Sequence, residues 1–396
     1  MRLASGPHGP CERNPETTCL FEVRREGFVL LWFSMRRIPP ALAPILFIPG
    51  LFYEALVRAR NALYTAGIFP HRSLPGPVIS VGNITMGGTG KTPLVLYIAH
   101  MLSTRGFSPV ILTRGYKRVR ASEALIIPPD EIIPSPARTL GDEPAVMRRH
   151  VPSAWMGISK DRFLAGSRIG QKLRRPVFVL DDGFQHRKLG RDLDIVIVDA
   201  SQPLRSNRVF PRGSLREPLS GLGRCHIAVL NGAGEPDAEN PVAEDVMRYA
   251  SKATMYSCIQ TIESLLPFDA WIGADSGTRV GHPRSAYLVA GLGNPGRFER
   301  DVRRLGIDVA GTKFFADHHW LAAEDWQACA RDARGSGAEA IITTEKDAIK
   351  ISQPPEFPLS VAIQSTVISG AAEFEKSLLL CVQGRLREPG VGAGQG

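Results

Sequence analysis

Pro77-Val78-Ile79-Ser80-Val81-Gly82-Asn83-Ile84-Thr85-Met86-Gly87-Gly88-Thr89-Gly90-Lys91-Thr92-Pro93 runs from a short apolar, β-branched segment through a glycine-rich turn into a helix start. Proline in the first helical turn gives up an N–H that has no partner there anyway, so Pro93 suits that place. The pattern predicts strand, loop and helix in succession. Small residues let backbone N–H groups converge on phosphate oxygens at the positive end of the helix dipole. Thr85, Gly87, Gly88, Thr89, Gly90, Lys91 and Thr92 are therefore the candidate phosphate cradle. In such a loop Lys91 reaches the β- and γ-phosphates and the Thr92 hydroxyl holds Mg²⁺.

The match to G-x-x-x-x-G-K-[ST] departs at its first glycine, which falls on Thr85, while the glycines cluster at Gly87, Gly88 and Gly90. This resembles the deviant loop GGxGK[ST], although Met86 stands where that ATPase class often carries lysine. A glycine-rich turn with an incidental lysine is the competing reading, and the flanking strand and helix weigh against it.

A chain of 396 residues with 43% hydrophobic content can build two domains with real cores. The net charge of +9, carried mostly by arginine, suits nucleic acid, anionic lipid or a phosphorylated substrate alike. No helicase or single-strand module is visible, so no nucleic-acid partner is expected. The six cysteines lack metal-ligand spacing, which predicts reduced thiols, no zinc and no disulfides.

Residues 1–34 read as a dispensable extension, and Met35 before Arg36-Arg37 as an alternative start. Residues 35–70 are expected to form a membrane-associating helix. The apolar stretch 38–53 holds Pro39, Pro40, Pro44 and Pro49 and is shorter than the roughly 20 residues a spanning helix needs. Leu51, Phe52, Leu56, Val57, Leu63 and Tyr64 then recur at helical spacing, with Arg58, Arg60 and Arg72 available to anionic headgroups. A helix packed on its own core fits the same residues.

From residue 78 onward short apolar runs at 78–81, 110–113, 177–180, 195–198 and 227–230 alternate with helical segments, as buried parallel strands do. This predicts an α/β fold: a phosphate-loop, doubly wound, mostly parallel sheet over 71–240 with its site at the carboxyl ends of the strands. Periodicity weakens through a connecting region at 241–284. Strands at 287–290, 312–315, 340–343 and 360–363 then build a second, smaller α/β lobe over 285–385, with a helix at 322–334 and a disordered tail at 386–396.

Val177-Phe178-Val179-Leu180-Asp181-Asp182-Gly183-Phe184-Gln185-His186-Arg187 is a hydrophobic strand ending in two carboxylates, the acidic partner that a phosphate loop needs for Mg²⁺. Gly141-Asp142-Glu143-Pro144 is expected between a strand and a helix, and Asp317-His318-His319 after the strand ending at Phe315. A carboxylate oriented by an imidazole can take the proton of a hydroxyl acceptor. A helix cap and a surface turn are the bland alternatives. Arg114-Gly115-Tyr116-Lys117-Arg118 and Pro211-Arg212-Gly213-Ser214-Leu215-Arg216-Glu217-Pro218 supply guanidinium forks for phosphate beyond strand ends.

In this order the chain resembles the tetraacyldisaccharide 4'-kinase family of Gram-negative bacteria. The stretches are VGNITMGGTGKTP, LTRGYKR, GDEP, LDDGFQHR, LREP, AGLGNPGRF, ADHH and TTEKDAIK, spread from about residue 36 to 385. The resemblance implies transfer of the γ-phosphate of ATP to the 4'-hydroxyl of a tetraacyldisaccharide 1-phosphate in lipid A biosynthesis. It implies a peripheral, monomeric enzyme on the cytoplasmic face of the inner membrane. It makes Asp142 the general base paired with His318, and Asp181 and Asp182 catalytic carboxylates. Thr92, Asp181, Asp182, Gln185 and Glu217 become the metal candidates, and which carboxylate touches Mg²⁺ is left open. Arg114, Glu143, His186, Arg216 and Asp317 are the acceptor-contact candidates. The alternative from a different class is a deviant-loop ATPase acting as a nucleotide-driven switch or membrane-associated binding module.

Overall fold

A computed structural model describes residues 43–115, 123–233, 240–273 and 281–387. The expectations for residues 1–34, for Tyr116-Lys117-Arg118 and for the tail beyond 387 lie outside the described residues.

Helix α1 (Ala43–Thr65) leads into β1 (Val78–Gly82), the phosphate loop, α2 (Lys91–Thr104) and β2 (Ser108–Thr113). Next come β3 (Leu125–Ile127), α3 (Pro136–Leu140), α4 (Asp142–His150), β4 (Trp155–Ile158), α5 (Arg162–Gly170), β5 (Pro176–Asp181), β6 (Leu193–Asp199) and β7 (Ile227–Asn231). The chain continues through α6 (Pro241–Tyr249), β8 (Thr254–Pro267), α7 (Phe268–Ile272), β9 (Ser285–Gly291) and α8 (Pro295–Arg304). It closes with β10 (Asp308–Phe315), α9 (Ala323–Gly335), β11 (Ala340–Thr344), α10 (Glu345–Ala348), β12 (Leu359–Ile368) and α11 (Ala371–Arg387).

The strands form one 12-stranded sheet in the order β10-β9-β11-β12-β8-β7-β6-β1-β5-β2-β4-β3. Its pairs are parallel except β3 with β4 and β8 with β12. The nine strands expected from apolar runs are all present. Those runs stay apolar because helices cover both faces of a parallel sheet, and β1, β5 and β7 are buried along their whole length. β1 lies between β5 and β6, so the phosphate loop and the Asp181-Asp182 pair leave adjacent strand ends.

β8 occupies the stretch in which periodicity weakens. Its first residues pair in parallel with β7 and the rest run antiparallel to β12, so this strand joins the two sets of strands. After β12 the chain returns to the first set. Phe374 of α11 is fully buried, with its ring edge-on to Tyr256 at 5.3 Å, and Glu375 accepts from Tyr97 Oη of α2 at 3.0 Å.

Helix α1 has two sides. Ile45, Phe47, Ile48, Leu51, Phe52 and Leu56 are exposed, whereas Tyr64 is buried. The arginines expected to meet headgroups also have partners within the protein. Arg58 pairs with Glu54 at 2.7 Å, Arg60 donates to the Gln185 carbonyl at 2.8 Å, and Arg72 lies 3.5 Å from Asp161. Arg58 and Arg72 still keep more than half of their side-chain surface exposed, so the outward side of this helix is apolar over its first turns and carries a cation at Arg58.

If α11 belongs to the core of the phosphate-loop half, Phe374→Ala will cost about 3–5 kcal/mol in urea unfolding, the transfer and cavity terms of a lost buried phenyl ring. A loss under about 1 kcal/mol would mean that the ring is not a core anchor.

Candidate active site

Gly87 and Gly90 take the left-handed backbone at φ 109° and 91°, where a side chain is strained. A Cβ at Gly90 would also overlap the Gln260 amide, which donates to the Gly90 carbonyl at 2.8 Å. Thr89 is held on two sides: its hydroxyl accepts from Asn83 Nδ2 and its carbonyl from Asn231 Nδ2, each at 2.9 Å. Nothing stands within 4 Å of where a Cβ would lie at Gly87 or Gly88, so this part of the loop is open. Lys91 and Thr92 lie in the first turn of α2, whose free N–H groups face the loop. Thr85 bridges Leu215, and Arg216 N donates to the Ile84 carbonyl at 2.8 Å, which sets Arg216 beside the loop.

Arg216 Nη1 donates to both oxygens of Asp182, at 2.8 and 2.7 Å, and Lys91 Nζ lies 3.6 Å from the same carboxylate. Burial works to raise the Asp182 pKa, but Lys91 and Arg216 outweigh it and hold the group below its ordinary value. Burial lowers the pKa of Lys91, with the Asp182 charge opposing. The neighbouring Asp181 goes the other way. Burial, Glu143 and Asp182 push it up to about 7, although the Thr113 hydroxyl donates to it at 2.9 Å. Two adjacent carboxylates are thus given opposite tendencies by their surroundings.

Glu217 is buried and accepts from Gln185 Nε2 at 2.9 Å, Arg224 Nη2 at 3.0 Å and Asn61 Nδ2 at 2.8 Å. Gln185 Nε2 also donates to the Asn83 carbonyl at 2.9 Å, which fixes the amide so that its Oε1 is left buried without a partner. Burial and the positive charges of Arg162 and Arg191 lower the His186 pKa to about 4, so its ring is neutral near pH 7. Arg114 is exposed at the end of β2.

Asp142 does not follow a strand directly. Pro136 opens the short helix α3, Gly141 turns the chain at φ 95°, and Asp142 begins α4. His318, on the loop after β10, places Nδ1 2.7 Å from Asp142 Oδ2. Lys346 of α10 donates to Glu143 Oε1 at 3.1 Å and Asp317 Oδ1 at 3.2 Å, and lies 3.4 Å from His318 Nε2. Burial acts to raise the Asp142 pKa. The His318 hydrogen bond and the Lys346 charge overcome it and hold the carboxyl at about 2. Behind them Lys350 donates to the His319 carbonyl and to Asp347, each at 2.8 Å, and Asp347 accepts from Gly291 N at 2.9 Å. That pair pins the His318 loop to the end of β9.

Glu143 links the two clusters, because its charge acts on Asp181 and Lys91 while it pairs with Lys346. Four described residues other than glycine have positive φ, and Asp182 (52°) and His318 (62°) are two of them. Such strain persists only where surrounding contacts enforce it, and it concentrates at functional sites.

The sequence does not single out Arg162 or Asn61, and it marks Lys346 only as part of the stretch TTEKDAIK. Arg162 is buried at the start of α5, its Nε has no hydrogen-bond partner among the described residues, and it feels the charges of Asp181, Asp182 and Arg114. A buried guanidinium with an unused donor beside a phosphate loop fits an incoming anion. No group of three or more His, Cys, Asp or Glu among the described residues could hold a metal by itself. The donor set suits Mg²⁺ shared with phosphates, since that ion takes one or two carboxylates plus phosphate and water oxygens, and the orphaned Gln185 Oε1 is a free acceptor for it or its water.

Folding raises the Asp181 pKa from 3.8 to about 7, so the folded state keeps a proton that the unfolded chain releases, and stability falls as pH rises through that window. Above about pH 7 the charge opposes folding and Asp181→Asn removes it; near pH 3, below both values, both states are protonated and the change is neutral. We therefore expect Asp181→Asn to raise the Tm of metal-free protein by roughly 2–4 °C at pH 8 and to leave it unchanged near pH 3. A lower Tm at pH 8 would contradict this assignment.

The tetraacyldisaccharide-1-P 4'-kinase family matches residues 42–383. A tetraacyldisaccharide 4'-kinase of Desulfotalea psychrophila is 34% identical over 331 residues, covering 83% of this chain and 93% of the relative. One from Geobacter metallireducens is 35% identical over 317 residues, covering 80% and 89%. The crystal structure of the "apo" form LpxK from Aquifex aeolicus in complex with ATP superposes with a TM-score of 0.66 at 29% identity, over 86% of this chain and 98% of that one. The expected fold class and family are thus borne out, and this chain belongs to the tetraacyldisaccharide 4'-kinase family.

Proposed function

We propose that the protein is an ATP-dependent lipid kinase that transfers the γ-phosphate to the 4'-hydroxyl of a tetraacyldisaccharide 1-phosphate. The observation that carries this reading is the Asp142–His318 pair, joined through Glu143 to the phosphate loop. A switch ATPase has no need of a carboxylate–imidazole pair there.

The residues divide the work. Backbone N–H groups of residues 87–92 cradle the phosphates, and Lys91 neutralises the β- and γ-oxygens, leaving Asp182 to Arg216. Arg162 and Arg216 take the charge of the transferring group. Thr92, Asp181, Asp182 and Gln185 would hold Mg²⁺, with Glu217 behind them, and that ion supplies neutralisation of phosphate charge. Asp142 orients the acceptor hydroxyl. With a pKa of about 2 it is a weak base, so proton transfer comes late, once bonding to phosphorus has made the hydroxyl acidic. The loose transition state of phosphoryl transfer tolerates this, because positioning and charge stabilisation do most of the work.

The exposed apolar face of α1 docks on the cytoplasmic surface of the inner membrane, where a tetraacylated acceptor resides, and a single chain supplies every group named above. No helix of the described residues is long and apolar enough to cross a membrane. Six exposed large hydrophobic side chains on one helix are the support for interfacial docking.

The test is transfer of labelled γ-phosphate to a tetraacyldisaccharide 1-phosphate in mixed micelles. Labelled lipid is expected with the wild type, and Lys91→Ala should lose about 10²-fold or more. Label released only as inorganic phosphate by folded wild-type protein would favour the nucleotide-switch reading.

A further inference from the structure

Helix α1 is bonded to the catalytic loops at two heights. Near its middle, Glu54 Oε2 accepts from Arg212 Nη2 at 2.6 Å, and Tyr53 meets Phe210 edge-on at 5.8 Å. Near its carboxyl end, Asn61 Nδ2 donates to Glu217 Oε2 at 2.8 Å and Arg60 Nη2 donates to the Gln185 carbonyl at 2.8 Å. Arg187 closes the connection from the other side, donating to the Asn61 carbonyl at 2.8 Å. Residues 210–217 form the segment that carries Arg216 to Asp182, and 183–187 the segment that follows the Asp pair.

Glu217 Oε1 accepts from Gln185 and Arg224, whereas Asn61 is the donor to Oε2. A carboxylate this deeply buried keeps one orientation only while both oxygens are satisfied. Take the Asn61 amide away and Glu217 Oε2 is left buried without that donor, so the carboxylate no longer holds one orientation for Gln185. The amino-terminal turns of the same helix expose Ile45, Ile48 and Phe52. One helix thus carries an apolar face at one end and a support of the site at the other, with Pro49 between its first turns and the rest.

We infer that Asn61 is a positioning residue which, through Glu217 and Gln185, couples the seating of α1 on a phospholipid surface to the ordering of the catalytic loops. The coupling presumes the kinase reading of the site for its effect on turnover. A second readout, amide exchange, does not depend on the reaction.

Asn61→Ala should lower kcat by about tenfold to a hundredfold, the scale of a small misplacement in a site, with KM for ATP near wild type and Tm lower by only a few degrees, the effect of a buried oxygen losing its donor. Binding to anionic phospholipid vesicles should be unchanged, since the apolar face is intact. Arg60→Ala, which leaves Glu217 satisfied, should show the same signature more weakly and serves if Asn61→Ala fails to fold. Vesicles should slow amide exchange across 183–187 and 210–217 in the wild type and should not do so in Asn61→Ala. A kcat within twofold of wild type in both variants, or equal vesicle-induced protection in wild type and Asn61→Ala, would overturn the coupling. Absence of labelled lipid from wild type, with the exchange pattern as expected, would sink the kinase reading and leave the coupling standing.

Discussion

The contact of His318 Nδ1 with Asp142 Oδ2 at 2.7 Å is the constraint on which the arrangement rests. Asp142 opens the helix that leads into β4, close to one end of the strand order, and His318 follows β10 at the other end. Neither strand pairing nor chain proximity brings them together. Helices α4 and α10 do so, fastened by His150 with Glu345 at 2.8 Å and by Glu143 with Lys346 at 3.1 Å. Removing one partner of a buried pair leaves an uncompensated charge, so these contacts report whether the ends of the sheet are correctly assembled.

Charge is arranged around that contact with little redundancy. Lys91 and Lys346 are each set among carboxylates, and Asp181 is driven toward neutrality, by burial first and by two acidic neighbours next. Without bound phosphates the site therefore opposes folding at Asp181 and leaves Arg162 Nε buried without a hydrogen-bond partner among the described residues. Both features make sense if the arrangement is complementary to a polyanion with its cation rather than to the empty protein.

Much of this was legible in the sequence, for identifiable reasons. Buried parallel strands are continuous apolar runs, so nine of them announced themselves, and the loop at residues 87–92 has a spacing that chemistry dictates. β8 did not, because it alternates and buries polar Ser257 and Gln260, the latter to reach the Gly90 carbonyl. The short strands β3 and β4 carried too few residues for a period. Among site residues, Arg162 and Asn61 were hidden because their roles depend on what lies beside them in space. Asn61 meets Glu217 across 156 positions. Arg60 read as a surface cation and is turned inward for a similar reason.

The central claim is that Asp142 and His318 act as one unit, and a double-mutant cycle in kcat tests it most directly. Asp142→Ala should lower kcat by about 10²–10⁴-fold and His318→Ala by less, with the double mutant little worse than Asp142→Ala alone. Losses that multiply across the cycle would show that the two side chains contribute independently and would contradict the account.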